Sequence, residues 1–153
     1  MTQLEQVAEF HQTFNHPIED QVGHIDPSRA LLRLSLLQEE LNELQTAIQS
    51  KNQVEVLDAL CDIEYILKGT VLEFGFQHVF DPAFDDVHAS NMTKACVSLD
   101  EAKLTQTMYA AKNVPTYIQQ HGKYWIVYRE EDGKVLKSIN YRPVNLMPYF
   151  INV

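Results

Sequence analysis

The chain has 153 residues, 45% of them apolar, enough to bury a core in one domain without disulfide or metal staples. Its formal net charge of −9, from 21 acidic against 12 basic residues, excludes a general nucleic-acid surface, because phosphate backbones call for clustered Lys and Arg. Cys61 and Cys96 make no CxxC or Cys/His zinc spacing, no basic-then-apolar signal segment opens the chain, and no apolar run approaches the ~20 residues that span a bilayer; a cytoplasmic protein away from membranes, with Cys61 in its core, is expected.

Leu4, Val7, His11 and Phe14 repeat at helical spacing and predict a first helix over residues 3–14. Asp26 followed by Pro27 is a helix-start signal, an N-cap and then proline at the first helical position, and the apolar period continues from Ser28 to Ser50. Asn52 is placed to cap a third helix over 53–74, with Gly75 as its terminating glycine. Asp81-Pro82 repeats the start signal for a fourth helix ending near Ala95, on which His88, Asn91 and Lys94 would share a face.

From Ser98 the pattern changes. Ser98 and Glu101 form a capping-box pattern that predicts a short helix to about Lys112. Period-two alternation then predicts strands over 116–119 and 123–129, with turns at His121-Gly122 and Asp132-Gly133 and with Tyr124, Trp125 and Tyr128 on one face of the sheet. The segment 140–153, with Pro143 and Pro148, reads as an extended arm on the core or on another subunit. The fold class expected is mainly α: a four-helix core in a single domain, with a helix and a small β-hairpin attached over 98–131.

Two helical acid clusters carry the chemistry. Residues three or four apart on a helix share a face, so Glu39, Glu40 and Glu43 converge on the second helix and Asp58 and Asp62 on the third. Two antiparallel helices would bring these carboxylates into one small volume. Left alone they repel and raise one another's pKa values, whereas Mg²⁺ or Mn²⁺, which favour oxygen ligands, turn that repulsion into attraction. Leu36, Leu37, Leu41 and Leu44 around the glutamates, and Leu57, Leu60, Cys61 and Ile63 around the aspartates, put the acids near a core edge, where an unpaired charge is costly.

The string from Arg33 to Ile48, the Asp58, Ala59, Leu60, Asp62, Tyr65 and Gly69 pattern, the His88 to Lys94 segment and the Gly133, Lys134, Lys137, Tyr141 and Pro143 series occur in an order that resembles the all-α nucleoside triphosphate pyrophosphohydrolases. That group contains MazG, dimeric dUTPases and phosphoribosyl-ATP pyrophosphohydrolase, and the likeness is nearest to its small MazG-like members. The resemblance spans roughly residues 1–97 and 132–147 and implies a four-helix MazG-like core, with 98–131 as an insertion. It implies Mg²⁺-dependent hydrolysis of nucleoside triphosphates to the monophosphate and pyrophosphate. Glu40 and Glu43 match the family's ExxE and Asp62 its terminal aspartate; where many members have a glutamate, this chain has Ala59, with Asp58 one position earlier as the remaining ligand.

Glu39, next to the ligand pair, is the residue placed to orient or deprotonate a water. Lys94, Lys134 and Lys137 would pair with phosphate oxygens, Asn91 would hydrogen-bond sugar or phosphate, and Tyr141 would stack on a base. Two other readings compete: phosphoribosyl-ATP pyrophosphohydrolase of histidine biosynthesis, and a non-catalytic helical nucleotide-binding or dimerisation module. The succession Leu31, Leu32, Leu34, Leu36 and Leu37 gives the second helix more apolar surface than one core can hide, which, with the resemblance, implies a homodimer or a dimer of dimers.

Overall fold

The computed structural model describes residues 1–151. These fall into two compact units, one formed by Met1–Asp81 and the chain end from Tyr149, the other by Pro82–Pro148. The fold is mainly helical, with one small antiparallel sheet. No helix among the described residues is long and apolar enough to cross a membrane.

Three helices build the first unit. Helix α1 (Gln3–Thr13) opens with a full capping box, in which the Thr2 hydroxyl accepts from Glu5 N–H and the Glu5 carboxylate accepts from Thr2 N–H. Its inward stripe is Val7 and His11, both buried, whereas Phe14 is largely exposed. Helix α2 (Pro27–Ser50) starts as its sequence predicts: Asp26 Oδ1 accepts from the N–H groups of Ser28 and Arg29 at 2.8 and 3.3 Å, capping the first turn. The Ser28 hydroxyl also donates to that oxygen, and these bonds hold the Asp26 carboxyl below its usual range. Helix α2 ends at left-handed Lys51, and Asn52 immediately caps α3 (Gln53–Glu73) by accepting from Val54 and Glu55 N–H.

So short a connection makes α2 and α3 an antiparallel hairpin. Its facing stripes repeat at three- and four-residue steps: Arg33, Leu37, Glu40, Leu44 and Ala47 on one helix, and Val56, Ala59, Ile63, Ile66, Thr70 and Glu73 on the other. Small Ala47 and Ala59, both buried, let the backbones approach near the loop end. At the other end Phe74 caps α3 and Gly75 turns the chain at φ +68°, where a Cβ would lie 2.3 Å from Gln21 O. The connection from α1 is strapped to that turn, with Glu19 N–H donating to Leu72 O and Gly23 N–H to Phe74 O. The returning chain end sets Phe150 edge-on to Phe76, ring centroids 6.1 Å apart.

Helix α4 (Phe80–Met92) leads into the second unit. It starts one residue before the predicted signal, so Asp81 lies in its first turn instead of capping it, and Pro82 is accommodated because first-turn N–H groups have no intrahelical partner. It also stops earlier than expected. The Thr93 hydroxyl donates to Ser90 O and Lys94 N–H to Asn91 O, closing a turn that leaves Lys94 beyond the helix, so His88, Asn91 and Lys94 do not share one helical face.

Helix α5 (Leu99–Ala110) is capped by Ser98, whose hydroxyl accepts from Glu101 N–H. The Glu101 carboxylate reaches back one residue further than a capping box requires, accepting from Val97 N–H at 2.9 Å. Strands β1 (Thr116–His121) and β2 (Tyr124–Arg129) pair antiparallel, with Tyr117 opposite Tyr128 and Ile118 opposite Val127. Alternation puts Ile118, Trp125 and Val127 on the inner face, over buried Cys96 and Ala102. Tyr124 and Tyr128 point the other way, with Tyr117 stacked on Tyr128, which corrects the expectation that Trp125 shares their face: neighbours in a strand take opposite sides.

The chain after β2 is irregular. Ser138 Oγ donates to Thr93 O, Arg142 N–H to Thr93 Oγ1 and Ser90 Oγ to Arg142 O, stitching the segment 138–142 to the end of α4. A short 3₁₀ turn, Met147–Phe150, interrupts the expected extended arm; Asn152 and Val153 of that arm lie outside the described residues.

Candidate functional site

The hairpin brings the five predicted acids onto one stretch of the first unit. Glu40 occupies a core-facing position of α2 in the stripe between Leu37 and Leu44. Its Oε2 is buried and has no hydrogen-bond partner. Burial pushes the Glu40 carboxyl above its usual range, and the negative charges of Glu43, Asp62, Glu39 and Asp58 push it further. The other four acids are exposed. They are the like charges acting on Glu40, so the two clusters act on one another across the hairpin.

Glu39 and Glu43 also line an open groove of about 350 Å³ with Asn42, Thr46, Ala47, Ser50 and Glu55. The groove runs along the flank of the hairpin towards its loop, and Glu55, in the first turn of α3, adds an acid that the sequence reading did not include. Among the described residues no three His, Cys, Asp or Glu side chains stand in a group that could hold an ion as placed. The donor types suit a hard divalent cation nonetheless, because a buried carboxylate oxygen without a partner, with the charges of further carboxylates acting on it, is short of positive charge. Glu40, Glu43, Asp58 and Asp62 are the residues that would hold it. The acids nevertheless sit in a less enclosed setting than expected, since Leu41, Leu57, Leu60 and Cys61 are exposed in this chain.

The other predicted residues belong to the second unit. Asn91 is exposed near the end of α4, and Lys94 follows in the closing turn. Lys134 sits in the turn after β2, its N–H donating to Asp132 Oδ1 and its carbonyl accepting from Arg129 N–H. Lys137 Nζ lies 4.6 Å from the centroid of Tyr141, a cation–π contact that covers part of the ring assigned to base stacking. Tyr109 Oη donates to Lys137 O, and Tyr141 Oη lies 3.3 Å from Ser90 Oγ, so the Lys137 backbone and the Tyr141 side chain are each tied in place.

A second polar cluster of the first unit went unread in the sequence. Glu73, whose side chain is fully buried, receives Arg29 through Nε at 2.9 Å and Nη2 at 2.6 Å, and Arg33 Nη1 stands 3.5 Å away. Arg33 Nη2 donates to Ile66 O at 2.6 Å and Nε to Thr70 Oγ1 at 3.2 Å. His11 completes the cluster, its Nδ1 2.8 Å from Pro17 O. The available signal was charge at core spacing: Arg33 and Glu73 fall on the mainly apolar core-facing stripes of α2 and α3.

The sequence model of the phosphoribosyl-ATP pyrophosphohydrolase family matches residues 7–91, more than half of the chain and the whole of the acid-bearing hairpin. The chain belongs to that family, within the MazG-like nucleoside triphosphate pyrophosphohydrolase superfamily. A pyrophosphohydrolase-type activity on a phosphoric anhydride goes with the membership. The chain is also similar to an uncharacterized protein, L479, of Acanthamoeba polyphaga mimivirus, at 24% identity over 90% of this chain and 91% of that one.

Proposed function

We propose that the protein cleaves the α–β anhydride of a nucleotide carrying a triphosphate chain, releasing pyrophosphate, with the reaction centred on the acids of the α2–α3 hairpin. The observation that carries this reading is the buried, unpartnered Oε2 of Glu40 among four further carboxylates. A folded protein tolerates such an arrangement at a cost, and a divalent cation offsets it. When bound, Mg²⁺ or Mn²⁺ supplies charge neutralisation at the phosphate oxygens and acidifies water.

The chain's own residues divide the remaining work. Glu40, Glu43, Asp58 and Asp62 would hold the cation. Glu39, exposed on the groove wall, orients the attacking water and accepts its proton. Phosphate binding is assigned to Lys94, Lys134 and Lys137, and sugar or phosphate hydrogen bonding to Asn91, on their chemistry. Tyr141 keeps the base-stacking role through the part of its ring that Lys137 leaves free.

Two substrates compete, and both present the same triphosphate. An ordinary nucleoside triphosphate is the general reading, whereas the family match over residues 7–91 favours phosphoribosyl-ATP. Product analysis with Mg²⁺ across ribo- and deoxyribonucleoside triphosphates and phosphoribosyl-ATP tests both. Pyrophosphate plus a monophosphate supports the class, and the faster substrate names the member. Orthophosphate as the only inorganic product would contradict it, and Mg²⁺-dependent nucleotide binding without turnover would favour a non-catalytic module.

The working unit is proposed to be a homodimer. Leu31, Leu34, Leu41 and Ile48 on α2, with Val54, Leu57, Leu60 and Leu67 on α3, leave the hairpin with an apolar exposed side, the kind of surface a second copy covers. Sedimentation at micromolar concentration should show at least a dimer; an active monomer would refute it.

A further inference from the structure

We propose that Arg33 is a positioning residue, which holds α2 and α3 in the setting that lets the glutamates of one helix act together with the aspartates of the other; the inference rests on reading those acids as a cation site. The acids lie between two fixed points of the hairpin. One is the tight Lys51-Asn52 connection, where Asn52 N–H donates to Ala47 O. The other is the buried cluster around Arg33, two helical turns before Glu40 on the same stripe.

The contacts of Arg33 are directional in a way that apolar packing is not. Its guanidinium reaches a backbone carbonyl of α3 (Ile66), a hydroxyl one turn on (Thr70) and a carboxylate at the helix end (Glu73). A helix that rotated or slid against its partner would break all three. Gly69 makes the approach feasible: a Cβ there would lie 2.3 Å from Arg33 Nη2 and 2.8 Å from His11 Nε2. Arg29 holds the same Glu73 through two bonds, so the carboxylate stays oriented towards α2.

Stability alone is a poor reason for this cluster. Burying ion pairs costs desolvation that well-packed apolar side chains avoid, and the better-attested use of such groups is to specify one arrangement among several. Here the arrangement matters because a hard cation needs its carboxylates at fixed separations. Without Arg33, Arg29 still ties Glu73 to α2, but no directional bond fixes α2 against Ile66 and Thr70, the positions of α3 nearer the acids, and the acids would lose their common focus.

The test is Mn²⁺ affinity of the full chain by calorimetry, beside cation-free melting. Arg33→Met, which keeps bulk but no directional bond, should weaken Mn²⁺ binding about tenfold, as loss of an orienting partner does at metal sites, and Arg33→Lys should fall between it and the parent. Val7→Ala, which loosens packing in the same unit, is the control: a lower melting temperature with unchanged Mn²⁺ affinity. If Arg33→Met does not fold, Gly69→Ala and Arg33→Lys carry the test, since a Cβ at residue 69 displaces the guanidinium. Arg33 variants that are folded and bind Mn²⁺ as Val7→Ala does would overturn the inference alone. A parent chain that binds no Mn²⁺ would overturn the cation reading first and this inference with it.

Discussion

The two units differ in charge, and under the proposed function that difference separates two jobs. Of the basic residues only Arg29, Arg33, Lys51 and Lys68 belong to the first unit, and the first two are committed to Glu73. That leaves the α2–α3 acids almost without cations of their own, which is the reason the proposed function assigns them a bound metal. The second unit holds every other Lys and Arg, and its polar side chains are spent on tying irregular backbone together.

The comparison breaks most visibly if the acids are removed. Glu43→Gln or Asp62→Asn should cost on the order of 10³-fold in turnover, the several kcal/mol of charge stabilisation that a bound metal supplies, with the cation-free melting temperature unchanged or higher. Asp58→Asn should cost less. Glu39→Gln should lower turnover more than Mn²⁺ affinity, and equal losses in both would make it a ligand. Steady-state kinetics and melts on the same samples decide these outcomes.

A packing change in the other unit asks whether the two jobs are independent. Val127→Ala empties part of the small core formed with Cys96, Ala102, Ile118 and Trp125, at about 2 kcal/mol. Chemical denaturation should show that loss while Mn²⁺ affinity stays at the parent value; a parallel fall in affinity would show that the acids depend on the second unit.

Much of the first unit was legible because its signals are local. Asp26-Pro27 and Asn52 fix helix starts through bonds to residues two or three ahead, and the EExxE spacing is read directly along α2. What escaped depends on partners distant in sequence. Arg33 and Glu73 look like ordinary helix charges until α3 folds back on α2, and nothing local shows that Leu57 and Cys61 stay exposed. Lys94 was placed on α4 by spacing alone, whereas the Thr93 hydroxyl and the stitching of 138–142 end the helix before it. The matched region stops at residue 91, so the roles of Lys134, Lys137 and Tyr141 rest on motif and chemistry.

Those lysines give the next prediction. Lys134→Ala with Lys137→Ala should raise KM about tenfold, the loss of roughly one charge-assisted contact, and leave Mn²⁺ affinity unchanged. The Lys51→Ala variant is the control, and parameters equal to it would make the segment structural.

The smallest expected effect is a pH dependence inside the first unit. Burial holds the His11 imidazole below its usual pKa of 6.5, against the raising effect of its bond to Pro17 O, and Arg33 lowers it further. The unfolded chain therefore takes up this proton before the folded one does, so the contribution of neutral His11 is complete above pH 6.5 and is lost as pH falls towards the lower folded value. Melting temperature should drop more steeply between about pH 7 and about pH 5, the ordinary histidine range, in the parent than in His11→Asn. Equal slopes would show that the imidazole does not sense the cluster.

The most direct test of the central claim is pyrophosphate release measured as a function of Mg²⁺ for the parent and for Glu40→Gln. The account predicts release that rises with Mg²⁺ in the parent and is lost in the variant, whose fold and cation-free melting temperature are retained because the unpartnered buried carboxylate is gone. Release independent of Mg²⁺, or equal in the two proteins, would contradict it.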